Sequence, residues 1–212
     1  MSIGDIRQLK TNLRAKYRAI RTNADPAVRA DWDQRIAEQV RRLWQYARAR
    51  QILVYVSTPI EVDTHRIIRQ ALEDGKRVAV PRCIPDTRQM EFYYIESLEE
   101  LSVGSFGVLE PSPDPARLVT DLSEGLCLIP AFCYDYAGYR LGYGKGYYDR
   151  FLPKFGGSLI GICYSACVRH HLPHGRFDRP AQLLVTEKYI RRTDRVSAAK
   201  NDDRQKGGPD NG

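Results

Sequence analysis

The sequence predicts an α/β fold: a three-layer, single domain whose largely parallel sheet is flanked by helices. Three observations carry this. Short apolar runs such as Ile52-Leu53-Val54-Tyr55-Val56 are continuous rather than alternating, the mark of strands buried on both faces. Such runs alternate with segments whose apolar residues recur at helical spacing. The chain has 212 residues and 42% hydrophobic content, enough for one large domain that folds without disulfide or metal.

Two helices open the chain, within residues 2–48. Ser2 and Asp5 resemble a capping box, and Ile6, Leu9, Leu13, Tyr17 and Ile20 then form an apolar stripe. Asp25-Pro26 starts the second helix, with Pro at its first position. Trp32, Ile36, Val40 and Leu43 carry that helix on one face to about Arg48, and Trp32 and Trp44 read as packing residues. The first strand follows at 52–56, then a helix over 64–74 stopped by Gly75. Further strands are expected at 78–81, 92–95, 126–130 and 159–163. The domain is expected to span 1–196; residues 197–212 are polar and expected to be disordered.

The net charge of +7 is unevenly placed. Residues 1–50 hold twelve Lys and Arg against five Asp and Glu, and the remainder is balanced. This pattern excludes a uniformly basic nucleic-acid coat and leaves a local anion site or a solvated helix face. Arg7, Lys10, Arg14, Arg18 and Arg21 each follow a member of the first apolar stripe by one residue, so they border the buried face. No apolar run is long enough to cross a bilayer, and five cysteines without a C-x-x-C pattern read as a reduced, cytoplasmic protein. Cys127 and Cys163 are expected in the core, and His170, His171 and His174 facing solvent rather than binding zinc.

The densest chemical signal runs from Arg140 to Asp149. Gly142, Gly144 and Gly146 stand at every second position, after a strand and before a helix containing Tyr148, Phe151 and Leu152. Glycines there let backbone amides approach an anion closely, and the helix N-terminus adds partial positive charge. Lys145 is placed to reach a phosphate, Arg140 offers a bidentate fork, and Asp149 is a hard oxygen ligand for Mg²⁺. The spacing is neither the dinucleotide-binding nor the Walker pattern.

Three segments in order, Lys10-Thr11-Asn12-Leu13-Arg14, Glu61-Val62-Asp63-Thr64, and the stretch from Asp135 through Gly138 to Asp149, resemble the 5-formyltetrahydrofolate cyclo-ligase family over about residues 5–190. The resemblance implies ATP-dependent cyclisation of 5-formyltetrahydrofolate to 5,10-methenyltetrahydrofolate, with ADP and phosphate released. It implies that Lys10 and Arg14 contact the ATP phosphates and that Arg140, Gly142, Tyr143, Gly144, Lys145, Gly146, Tyr147 and Tyr148 wrap the nucleotide. Lys145 and Arg140 would carry the catalytic charge, while Val56, Glu61 and the Tyr143–Tyr147 loop would border the folate. Asp149 and Asp178 would hold Mg²⁺. The expected partner is this small molecule alone, with no nucleic acid or membrane, and the expected state is a monomer. Cys167 stands where the family usually has Gln, and Gln182 where an acidic residue is common.

Overall fold

The structure, a computed structural model, describes residues 3–175 and 178–193. Ser2 of the expected capping box and the tail at 197–212 lie outside the described residues.

The chain opens with α1 (Ile3–Thr22), α2 (Pro26–Arg41) and α3 (Trp44–Arg48). There follow β1 (Gln51–Val54), α4 (His65–Glu73), β2 (Arg77–Cys83), β3 (Met90–Ile95), β4 (Ser102–Val103) and β5 (Leu109–Glu110). The second half holds β6 (Leu126–Ile129), β7 (Cys133–Asp135), β8 (Arg140–Leu141), α5 (Tyr147–Phe151), β9 (Ser158–Ile162), β10 (Val168–Arg169), β11 (Leu183–Val185) and β12 (Ile190–Arg192).

Seven strands form the main sheet in the order β12-β11-β9-β6-β1-β2-β3. The five inner strands are parallel, and β3 and β12 run antiparallel at the two edges. Leu53 sits opposite Ala79 on one side and Cys127 on the other. Every residue of β1 and β6 is buried, as the apolar runs at 52–54 and 126–129 require. The chain enters the sheet at β1, moves outward to β2 and β3, then returns to the other side of β1 with β6. The carboxyl ends of β1 and β6 therefore diverge at a topological switch point, where open α/β sheets bind their ligands. A smaller sheet, β10-β7-β8, carries the chain from β6 into the glycine segment.

Local signals explain most boundaries. The Asp25 carboxylate accepts the amides of Ala27 and Val28, with Pro26 at the first turn of α2. Gly75 takes φ +72 after α4, and the amide of Lys76 returns to Ala71 O. One expectation fails: α2 does not reach Arg48. Leu43 is extended (φ −69, ψ 138), which breaks the helix and buries Leu43 and Tyr46 instead of Trp44. Trp44 is 61% exposed, with only the Arg48 guanidinium over its ring, so it is not a packing residue. Trp32 does pack, against Tyr164. Cys127, Cys133, Cys163 and Cys167 are buried, and all five cysteines are free.

Candidate active site

A cavity of about 530 Å³ opens at the carboxyl ends of β1, β2 and β6. Three of the segments that line it lie far apart in sequence. The chain leaving β1 supplies Val56, Thr58, Ile60 and Glu61; α1 supplies Lys10 and Arg14; and Arg140 through Asp149 closes the third side. Asp178 completes this set, so every residue expected to bind nucleotide, folate or Mg²⁺ lies on one cavity wall or another.

The glycine segment is shaped by backbone geometry. Gly144 and Gly146 take φ +88 and +78, which other residues adopt only with strain. Gly142 is different, because it has no positive φ and open space where a side chain would stand. Arg14 fastens the segment to α1: its Nε donates to Gly142 O at 2.9 Å, and its guanidinium packs against Gly144. Lys145 is exposed, with Nζ 5.0 Å from the centre of the Phe106 ring. The α5 helix that follows has only five residues, so its terminus adds less positive charge than the sequence suggests.

The motif residues upstream of the glycines are structural. The buried Asp135 carboxylate accepts the amides of Ala137, Tyr139 and Leu172. Gly138 takes φ +86, and a Cβ there would stand 2.2 Å from Ala181 O. Arg140 is turned into the protein: its side chain is 6% exposed, pairs with Asp149 and donates to Arg179 O at 3.0 Å. The Asp178 carboxylate accepts the amide of Gly175 at 2.8 Å.

On the folate-expected side, Glu61 is buried and accepts both the amide and the hydroxyl of Thr58, at 2.8 and 2.9 Å. Burial first, then the Glu61 carboxylate, raises the Tyr143 phenol well above its ordinary pKa. Burial pushes the Cys83 thiol in the cavity wall up to about 11, with Glu110 adding to the shift, so it stays neutral. The Tyr148 hydroxyl is buried and has no hydrogen-bond partner among the described residues.

A sequence model described as the 5-formyltetrahydrofolate cyclo-ligase family matches residues 6–187. The chain belongs to this family. The probable 5-formyltetrahydrofolate cyclo-ligase of Schizosaccharomyces pombe is 31% identical over 173 residues, covering 74% of this chain and 84% of that protein. The 5-formyltetrahydrofolate cyclo-ligase of Haemophilus influenzae is 24% identical over 178 residues, covering 82% and 95%. The solution structure of Aquifex aeolicus 5,10-methenyltetrahydrofolate synthetase superposes with a TM-score of 0.73 at 30% identity, over 87% of this chain and 93% of that one.

The two departures from the cyclo-ligase pattern fall in different places. Gln182 lies at the amino end of β9, where its Oε1 accepts the amide of Leu159; this is the end of the sheet opposite the cavity. Cys167 is buried beneath the cavity against Arg21. The histidines expected to face solvent are exposed; His174 stacks on Tyr139, and His170 meets Tyr136 edge-on. The sequence reading missed several wall residues, including Phe106, Glu110 and Met90. A signal existed for Phe106, an aromatic between Gly104 and Gly107 that sits on a tight turn at φ +59.

Proposed function

We propose that this chain cyclises 5-formyltetrahydrofolate to 5,10-methenyltetrahydrofolate at the expense of ATP, releasing ADP and phosphate. The observation that carries the reading is the convergence of Lys10, Arg14, Glu61 and the whole Arg140–Asp149 segment on one cavity at the switch point. An amide-like formyl oxygen leaves poorly. Transfer of the γ-phosphoryl group to that oxygen makes it a leaving group, and N10 of the same folate then attacks the formyl carbon, closing a five-membered ring. The protein's task is positioning and charge neutralisation.

In this reading Lys10, Arg14 and Lys145 surround the triphosphate, with amides of the Gly142–Tyr148 segment beside it. Lys145 can move onto the transferring group because its contact among the described residues is an aromatic face. Arg140 acts through Asp149, which it orients, and the Tyr148 hydroxyl has an open hydrogen bond for a ligand. Val56 and Glu61 hold the folate, with Tyr143 beside Glu61.

No cluster of three metal-binding side chains occurs among the described residues. Two carboxylates, Asp149 and Asp178, do line the cavity, a donor set that suits Mg²⁺ arriving on nucleotide phosphates. Bound there, the ion would neutralise phosphate charge. Four buried, unpaired thiols support a reducing compartment, and among the described residues no helix is long and apolar enough to cross a membrane. The reading takes the enzyme as a cytoplasmic monomer.

The test is turnover by purified protein with MgATP and 5-formyltetrahydrofolate, following methenyl absorbance and ADP together. Formation of both in equal amounts is expected. ADP release without the methenyl product would assign the nucleotide site to another substrate, and neither product would refute the reading.

A further inference from the structure

Arg21 ends the basic stripe of α1, yet its side chain is 1% exposed. A buried guanidinium is costly unless its charge is met, and an apolar side chain would fill the same space at less cost. Its surroundings explain why a cation stands here. Nη1 donates to Ile60 O at 3.2 Å, and Nη2 donates to Ala131 O and, at 2.9 Å, to Phe132 O. The guanidinium lies between two rings, 5.6 Å from the centre of Phe132 and 5.8 Å from that of Tyr164. The side chains of Cys167, Tyr143 and Cys163 are further polar neighbours, and Nε has no hydrogen-bond partner among the described residues.

The three carbonyls come from two different loops. Ile60 lies in the chain that leaves β1 and is itself part of the cavity wall, next to Glu61. Ala131 and Phe132 lie in the chain that leaves β6, directly after the wall residue Pro130. The Phe132 ring packs tilted against Tyr143, with ring centroids 4.4 Å apart, and the Tyr164 hydroxyl donates to Glu61 O at 3.3 Å. One planar fork thus ties together the two strand exits that diverge at the switch point, and it sits under both Glu61 and Tyr143.

We propose that Arg21 is a positioning residue for the cyclisation: it sets the separation of the two strand exits, and through Ile60 and Phe132 the placement of Glu61 and Tyr143 against the folate. This rests on the proposed function. A lysine cannot serve, because an ammonium on a single stem does not present a rigid fork to carbonyls on two loops. Lys10 and Arg14, the proposed nucleotide contacts, lie nearer the amino end of α1 than this fork.

The test compares wild type, Arg21→Met and Arg21→Lys by thermal unfolding, by kcat, and by KM for each substrate. The expected result is cooperative unfolding in both variants and a loss of about 10- to 100-fold in kcat/KM for 5-formyltetrahydrofolate, since displacements near 1 Å are that costly. KM for ATP should stay within about two-fold. Free guanidinium ion at millimolar concentration should restore part of the activity of Arg21→Ala and none of that of Glu61→Gln. Unchanged folate kinetics in Arg21→Met overturns the proposal, as does a parallel rise in both KM values. If neither Met nor Lys gives a protein that unfolds cooperatively, Arg21 is a determinant of the fold and the positioning role is likewise overturned. A wild-type protein without turnover refutes the proposed function instead, which separates the two failures.

Discussion

The glycine segment offers a paired experiment, because two of its glycines differ in why they should matter. At Gly144 the backbone holds φ +88, and an added Cβ would stand 3.2 Å from Nη2 of Arg14, whose Nε is fixed on Gly142 O. Alanine there must bear a positive φ, at about 1–3 kcal/mol. Arg14 must also yield by a few tenths of an ångström. Gly144 and Lys145 are exposed, so the segment can relax locally without unfolding the sheet. The strain therefore belongs in catalysis rather than in global stability. Gly144→Ala should lose about 5- to 150-fold in kcat/KM for ATP at 1.4 kcal/mol per decade, with the melting temperature shifted by less than about 2 °C. Gly142→Ala is the contrast, since its Cβ would meet nothing within 4 Å and its φ is not positive. Any activity that Gly142→Ala loses reports a ligand against the backbone, not strain in the protein. Steady-state kinetics and a melting curve on both variants decide the matter. Wild-type kinetics in Gly144→Ala would refute the strain argument, and wild-type kinetics in Gly142→Ala would refute close approach of ligand at that residue.

Other variants probe the remaining wall. Lys145→Ala should keep the wild-type melting temperature, because Nζ contacts only an aromatic face, and should lose at least about 10- to 100-fold in kcat as a charge-assisted bond to the phosphoryl group is removed; unchanged single-turnover rates would exclude the role. Asp149→Ala should lower stability by about 1–3 kcal/mol, or about 3–9 °C by calorimetry, because it leaves the buried Arg140 guanidinium with a carbonyl in place of its carboxylate. A melting temperature equal to wild type would show that the pair contributes nothing. The Asp63 carboxylate is held down at about 2, chiefly by its hydrogen bond from His65. A depressed carboxyl contributes stability that is complete above its unfolded value of about 3.9 and is lost as pH falls toward the folded value. Asp63→Asn should thus flatten the decline of melting temperature between about pH 4 and 2, and an acid limb identical to wild type would contradict this.

The strands were legible because burial on both faces leaves a continuous apolar run, which β6 shows in full and β1 shows after Gln51. The strands of two or three residues, β7, β8 and β10, were not, since so short a ladder has no periodicity to read. In the site, residue chemistry identified Lys145 and the glycines, and Asp135-Tyr136-Ala137-Gly138 reads as a turn. Asp135 and Gly138 build that turn, which delivers the segment, one by accepting three amides and the other by admitting a carbonyl where a Cβ would stand. Arg140 reads as a phosphate fork, and in the fold that fork closes on Asp149. Wall residues from β2 and β3, such as Pro81 and Met90, carry no local chemical signature, because proximity across the sheet is what brings them to the cavity.

The basic stripe of α1 shows why spacing alone could not separate these roles. Its five cations share one helical face, yet their environments change stepwise along the axis. Arg7 is exposed, Lys10 and Arg14 line the cavity, Arg18 lies over the Phe132 ring, and Arg21 is enclosed. The helix therefore inclines into the body toward its C-terminal end, and the same charge meets solvent, an anion site, an aromatic face and a set of carbonyls in turn. Each environment asks something different of a cation. A triphosphate needs charge that is accessible and free to adjust, which half-buried side chains on a rigid helix provide. The two loop ends need a fixed fork that no water competes for, which only the enclosed position provides. The excess of positive charge in the first quarter of the chain is thus a graded set of contacts, and the helix that carries it joins the nucleotide side of the cavity to its floor.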